Sequence, residues 1–361
     1  MTAAQLLRVG VVGVGWAGQQ HLAAYARIPG VELHSLAGME TERVAELAEQ
    51  YGIENTFARW EDMLEAGELD AVSVAVPTFL HAPIAIAALE RGLHVLTEKP
   101  IAGGGVEAQQ MVAAAQASGR VLQVVFNHRE RGDIAELRRI LDRGELGTPY
   151  AAKAGWLRRS GIPGDGSWFT NKQRAGGGPL IDLGVHVLDY ALYLLGEPEV
   201  LTVSASTYAE LGSQGRGGSS PGSIGEKFEV EDLAMVFMRL AGGGTLMLET
   251  SWAAYRANND EFWMTMYGTD GGADLRVVDY AEPGDLHIYR DTDGAAADYR
   301  AKPGQNGGHD VVVQHFVDAV ATGPTEWAKH DGSLGLARAR IIDACYRSAA
   351  EGHEVTLAAQ A

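Results

Sequence analysis

The sequence predicts an α/β protein of two domains: an N-terminal doubly wound parallel sheet, then an α+β domain with a large, mostly antiparallel sheet. Three observations predict it. Continuous apolar runs alternate with helix-like segments as far as residue 126, a glycine-rich turn follows the first run, and after Asn127 the alternation gives way to separated β segments. The chain has 361 residues, more than one core of about 100–200 residues, so domains at 1–126 and 127–361 are expected.

The first element, Arg8 to Val12, runs into Gly13-Val14-Gly15-Trp16-Ala17-Gly18 and then a helix from Gln19 to Arg27. A G-x-G-x-x-G turn between strand and helix suits a dinucleotide. Gly13 permits the tight turn, Gly15 lets the backbone approach a pyrophosphate, Gly18 allows close helix–strand packing, and the helix start near Trp16 and Ala17 offers N–H donors. NAD or NADP is the expected cofactor. The second strand, Glu32 to Ala37, ends where NAD-binding versions place an acid on the ribose hydroxyls. Gly38 stands there instead, followed by Met39 and Glu40, with Arg43 opening the next helix. Arg43 can pair with a 2′-phosphate and Glu40 can act as a displaced acidic reader, so both cofactors stay open. The plainer role for Arg43 is an exposed helix residue paired with Glu46 or Glu40.

Ala71 to Val76 is the next buried run, ended by Pro77, with a helix from Phe79 to Glu90. Pro77 and Thr78 lie at a strand end beside the following strand and are expected near the cofactor. His81, one turn into that helix, reads as a packing histidine with the cofactor side as its alternative. Leu93 to Glu98 is a strand stopped by Pro100, which has no N–H for the ladder. Glu98 and Lys99 therefore stand at the carboxyl edge of a sheet, where open α/β sheets bind ligands. A surface ion pair is the competing reading. A helix from Val106 to Ser118 and a strand from Val121 to Phe126 complete the alternation, which predicts right-handed crossovers.

Beyond Asn127 a helix from Asp133 to Arg143 precedes strands near Tyr150–Leu157, Leu201–Thr207, Leu233–Leu240, Gly244–Trp252, Phe262–Gly268 and Leu286–Arg290, with Ala241–Gly244 as a hairpin loop. The strands Ala234–Met238 and Leu246–Leu248 are apolar at successive positions, so both sheet faces are expected to be covered. One would take helices and the other a second subunit. Gly212 to Gly225 lacks periodicity and reads as a mobile loop. Leu334 to Ser348 reads as a helix with Cys345 buried and inert.

Between the first two of these strands, Gly176-Gly177-Gly178-Pro179 leads into a helix that ends at Gly196. Leu180, Leu183, Val187, Ala191 and Leu194 form its packed face. Asp182, His186, Asp189 and Tyr193 fall at i, i+4, i+7 and i+11, one polar stripe. A carboxylate one turn from a histidine can orient its ring for proton transfer. A solvated face, a structural Asp–His pair, and metal ligation by Asp182, His186 and Asp189 compete with that. No fourth ligand is apparent, and no metal is expected.

Composition excludes other classes. Asp and Glu number 47 against 29 Lys and Arg, a formal net charge of −18, and basic residues run no longer than Arg138-Arg139 or Arg158-Arg159. That opposes nucleic acid, which needs clustered positive charge. The single cysteine forms no disulfide within the chain. No stretch approaches the roughly 20 apolar residues of a membrane span, and Met1 to Leu7 lacks a signal pattern, so a cytoplasmic protein is expected.

Taken together, Gly13-x-Gly15-x-x-Gly18, Glu98-Lys99-Pro100 and Gly176-Gly177-Gly178-Pro179-Leu180-Ile181-Asp182-x-Gly184-x-His186 resemble the glucose–fructose oxidoreductase / inositol dehydrogenase / rhizopine catabolism (Gfo/Idh/MocA) family. The helix end Ala88 to Val95 matches that family's lead into Glu-Lys-Pro, and the resemblance runs nearly end to end. It implies a Rossmann domain plus a C-terminal domain with an open sheet, oxidation or reduction of a sugar or polyol, and homodimers or homotetramers built through that sheet. The family's active-site lysine, aspartate and histidine fall on Lys99, Asp182 and His186, and Glu98 would help position the cofactor. Which of Lys99 and His186 is the formal base stays open. By their place in the chain, Asn127, Trp156, Arg159, Trp168 and Asn171 are candidate substrate contacts. For Trp156 and Trp168 a core role, and for Arg159 a solvated one, is the alternative. Two competing functions are an enzyme that keeps NAD(H) bound to cleave or epimerise a glycoside, and a non-catalytic dinucleotide sensor.

Overall fold

A computed structural model describes residues 6–164, 167–218 and 227–357. The chain forms two compact units. The first comprises Met1–Asn127 and Gly307–Ala339, the second His128–Asn306 and Arg340–Ala361.

The first unit carries a six-stranded sheet of β1 (Leu7–Val12), β2 (Val31–Ala37), β3 (Asn55–Phe57), β4 (Ala71–Val74), β5 (His94–Thr97) and β6 (Leu122–Val124), in the order β3-β2-β1-β4-β5-β6. Every pair is parallel. That order is the doubly wound one, in which the succession of strands reverses beside β1 and opens a crevice at the carboxyl ends. All four residues of β4 and of β5 are buried, as continuous apolar runs covered on both faces require.

The expected second domain, 127–361, is corrected by the helix Gly308–Thr322, which returns to the first unit. Its Val312, Val313, Phe316 and Val317 join Val9, Leu22, Tyr25 and Val125 in one core cluster. Phe316 is fully buried, a side chain whose loss costs about 3–5 kcal/mol in a packed core. The chain then lies along β6, where the Leu122 N–H donates to the His330 carbonyl at 2.7 Å.

The second unit is built on ten strands, β7 (Pro149–Arg158), β8 (Val200–Tyr208), β9 (Leu233–Leu240), β10 (Thr245–Ser251), β11 (Asp260–Gly268), β12 (Gly271–Val278), β13 (Asp285–Thr292), β14 (Ala295–Ala296), β15 (Tyr299–Arg300) and β16 (Val355–Thr356). They run β14-β13-β12-β11-β7-β10-β9-β8-β16, with β15 on β13. Only β7 and β10 pair in parallel, so the sheet is mostly antiparallel as expected. The turn from β9 to β10 needs Gly242 and Gly243, whose φ angles are 84° and 91°.

The two faces of this sheet differ within one chain. On β9 and β10 the successive apolar residues do alternate in burial: Val236, Met238, Leu246 and Leu248 are inside, while Met235 and Met247 remain 45% and 46% exposed. Within the chain one face is packed and the other is open. The segment expected to be a loop begins with a short helical turn, Gly212–Gln214; residues 219–225 lie outside the described residues.

Candidate active site

In the first unit the glycine turn has the geometry a pyrophosphate needs. Gly13 adopts φ 108°, and a Cβ there would fall 2.1 Å from the Ala75 carbonyl oxygen. A Cβ on Gly18 would fall 2.0 Å from the Gly13 oxygen, so helix and strand touch only because both are glycine. A Cβ on Gly15 would meet no atom within 4 Å. Gly15 also caps the helix Trp16–Tyr25 without a side-chain hydrogen bond, and the first turn holds no acid. The helix start thus offers free N–H groups and positive dipole to an anion. Trp16 is 69% exposed there and Ala17 half-buried. These residues fit a dinucleotide.

At the ribose position, a Cβ on Gly38 would meet Val44 at 3.0 Å and Val14 at 3.2 Å. Packing therefore disfavours the acid that other NAD-binding sequences carry here. Arg43 takes the pairing with Glu46 that its helix position suggests, at 2.6 Å, and also donates to Gln19 at 2.7 Å. Pro77 precedes the turn Thr78–Leu80, in which Thr78 is buried. His81 is a packing residue. Its ring is 1% exposed and both nitrogens lie 2.8 Å from backbone carbonyls, those of Pro100 and Val76, which leaves no polar atom for a ligand. Burial outweighs those hydrogen bonds and lowers its pKa.

Glu98 is buried, and its carboxylate is committed inside the unit. Oε1 lies 3.1 Å from His21 Nε2 and 3.2 Å from His309 Nε2, and Oε2 accepts from the Lys99 backbone N–H at 3.1 Å. Burial opposes the charge, but hydrogen bonds from the two histidines outweigh it and hold the carboxyl well below the usual carboxylate range. His21, Glu98 and His309 are also the group, among the described residues, whose donor atoms come within 4.8 Å of one another as metal ligands would. Neither histidine was singled out by sequence. His21 follows Gly18 and precedes Leu22 and Tyr25 on the buried helix face, a legible signal; His309 had none.

In the second unit Asp182 ends the short helix Pro179–Asp182 and His186 lies in the helix Gly184–Leu194. The two join at Leu183, whose backbone stays helical at φ −85° and ψ −39°, so the expected spacing survives. The solvated stripe does not. His186 is 8% and Asp189 2% exposed, and nearly the whole helix is buried. Asp182 Oδ2 accepts from Trp252 Nε1 at 2.9 Å. Asp189 is removed as a metal ligand, because Arg129 grips both its oxygens at 2.6 and 2.7 Å. Burial disfavours the guanidinium charge, but Asp189 outweighs it and raises the Arg129 pKa.

His186 stacks on His128 with ring centroids 4.4 Å apart, and Trp156 and Phe262 pack against that pair. Trp156 is thus brought beside His186, although it is 3% exposed and its Nε1 donates to Asp260 at 2.7 Å. The other substrate candidates have local partners. Trp168 stacks on Phe169 at 3.8 Å. Asn171 caps the helix Lys172–Ala175 and donates to Glu229 at 2.8 Å. Arg159 is exposed and donates to the Arg256 carbonyl. Asn127 opens the turn Asn127–Glu130 and is the last residue of the first unit's N-terminal segment.

A doubly wound sheet with an open glycine turn after its first strand defines a dinucleotide-binding protein. Residues 7–126 match the model of the oxidoreductase family with an NAD-binding Rossmann fold, and residues 134–274 the GFO/IDH/MocA C-terminal domain. The chain belongs to the GFO/IDH/MocA family of oxidoreductases. It is 34% identical over 97% of both chains to D-glucoside 3-dehydrogenase of Escherichia coli. It is 31% identical to levoglucosan dehydrogenase of Pseudarthrobacter phenanthrenivorans, over 79% of this chain and 76% of that one. A levoglucosan dehydrogenase solved with NADH and levoglucosan superposes with a TM-score of 0.83 at 27% identity, covering 98% and 99% of the two chains. The protein is an NAD-binding enzyme of a sugar-oxidising family.

Proposed function

We propose that this chain transfers a hydride between NAD(H) and a secondary carbinol of a pyranose-type sugar or glycoside, with Lys99, Asp182 and His186 as the working residues. The observation that carries this reading is the near full-length likeness to D-glucoside 3-dehydrogenase together with the intact Glu98-Lys99-Pro100 and Asp182/His186 motifs. A nicotinamide bound at the glycine turn's crevice would supply the hydride acceptor or donor. The Lys99 ammonium donates to the carbinol oxygen and stabilises the alkoxide charge that develops there. His186 takes the hydroxyl proton on oxidation and returns it on reduction, and Asp182 orients its ring. Stacking on His128 and packing against Trp156 restrict the ring further.

D-Glucosides, levoglucosan and inositols assayed separately with NAD⁺ and NADP⁺ test this. Turnover of a ring sugar is expected, and its loss by at least about a hundredfold in Lys99→Met or His186→Ala, since general acid–base groups contribute roughly 10²–10⁴-fold. Intact turnover in either variant refutes the assignment. Turnover without net NADH would place the chain among enzymes that retain their cofactor. If NADP⁺ is preferred, Arg43→Ala should remove the preference, and its survival refutes the phosphate role of Arg43. The open sheet face bearing Met235, Met247 and Tyr267 supports a homodimer or homotetramer; light scattering of Met235→Glu/Met247→Glu tests it.

A further inference from the structure

We infer that His309, with His21, is a positioning residue that fixes the Glu98 carboxylate and through it the backbone of Lys99. The inference rests on the proposed role of Lys99. Three donors converge on one buried carboxylate: His21 and His309 on Oε1, and the Lys99 N–H on Oε2. Each comes from a different element, the glycine-turn helix, the first turn of the helix Gly308–Thr322, and the strand end itself. The network has a consistent direction. The Ser73 hydroxyl, 2.7 Å from His21 Nδ1, can donate to that nitrogen and leave the Nε2 hydrogen for Glu98.

His309 also lays its ring edge on Trp16 of the glycine turn, with centroids 5.3 Å apart and planes at 83°. A single imidazole therefore touches both the dinucleotide turn and the carboxylate that holds Lys99. Without its donor, Oε1 keeps one histidine, the carboxylate can rotate, and the Lys99 N–H loses a fixed acceptor. Small misplacements of a reacting group cost up to about 10²-fold in rate. A metal held by the same three side chains is the rival explanation. It would need both Nε2 atoms deprotonated, and it would set a cation one residue from the Lys99 ammonium.

Two full-length variants separate the ring from its hydrogen bond. His309→Phe keeps the contact with Trp16 and removes the donor; His309→Gln restores a donor without the ring. In His309→Phe, kcat on the best sugar of the panel should fall about tenfold, with the dissociation constant for NADH, read by fluorescence, changing less than about threefold. Labelling of Lys99 by a lysine reagent in cofactor-free protein, mapped by mass spectrometry, should quicken several-fold. His309→Gln should return both readouts to within about threefold of the parent. Equal losses in the two variants, or no loss in His309→Phe, overturn the inference. So does stoichiometric Zn²⁺ binding by calorimetry that His309→Phe abolishes. Should His309→Phe not fold, Glu98→Gln gives the same labelling comparison. If Lys99→Met retains turnover, the reading of Lys99 itself fails; if it loses turnover while His309→Phe does not, only the present inference fails.

Discussion

Replacing Asp189 with alanine should destabilise the protein by about 3 kcal/mol, the low end of the roughly 3–5 kcal/mol lost when one partner of a buried ion pair is removed. The structure sets that figure. Arg129 makes two charge-assisted hydrogen bonds to Asp189, at 2.6 and 2.7 Å, with side chains only 18% and 2% exposed. At an effective dielectric near 20, opposite charges about 4 Å apart attract by about 4 kcal/mol. Truncation strands the guanidinium, but not completely. Nη2 also donates to Glu197 at 2.9 Å, and the Arg129 Cζ lies 4.7 Å from the Tyr193 ring centre. Glu197 is 36% exposed and compensates weakly. Urea unfolding followed by circular dichroism measures the loss, summed over both transitions if the two units unfold separately. Arg129→Met in the Asp189→Leu background should recover much of it, because an apolar pair of similar volume can replace a buried ion pair. A loss below about 1 kcal/mol, or a coupling energy below about 0.5 kcal/mol in the double-mutant cycle, would refute the reasoning. His186 lies one turn before Asp189, so turnover should fall in the same variant.

Three further outcomes follow from the geometry. Because the Glu98 carboxyl is depressed in the folded state, the unfolded chain binds more protons in acid. Its stabilising contribution is present above the ordinary carboxylate pKa of about 4.3 and is lost as pH falls through the folded value. Glu98→Gln should thus be less stable than the parent at pH 7, with the gap shrinking below about pH 4; a constant gap in thermal melts contradicts this. Gly18→Ala places a Cβ 2.0 Å from the Gly13 oxygen and should weaken NADH binding by at least about tenfold, since overpacking costs roughly 1–3 kcal/mol; unchanged fluorescence titration counts against the cradle. Cys345 is 1% exposed, and burial pushes its thiol up to about 12. Thiol reagents at pH 8 should leave the native protein unlabelled and modify it fully in urea.

Where the sequence spoke clearly, burial had made the pattern. The strands of the first sheet are covered on both faces and read as continuous apolar runs, and the glycines at 13 and 18 announce themselves because no other residue fits. The edge strand Asn55–Phe57 is short and mostly exposed, so it left no apolar signature. Two missed elements did carry signals: Ala273, Leu275 and Val277 alternate along β12, and Val312, Val313, Phe316 and Val317 follow helical spacing. What their spacing could not show was the destination of the second, which packs with strands nearly the whole chain away. The Asp182–His186 helix was legible as helix, but its burial on nearly every side was not, because Arg129, Trp252 and His128 reach it from distant elements.

By itself the sequence determined the fold class, the dinucleotide turn and the Lys99, Asp182 and His186 candidates, since each depends on residues within a few positions of one another. Only the tertiary structure decided that Glu98 is held by His21 and His309, that Asp189 belongs to Arg129, and that Gly307–Ala339 completes the first unit. Those contacts join side chains across long stretches of chain, and local periodicity holds no record of which distant partner will satisfy a buried charge.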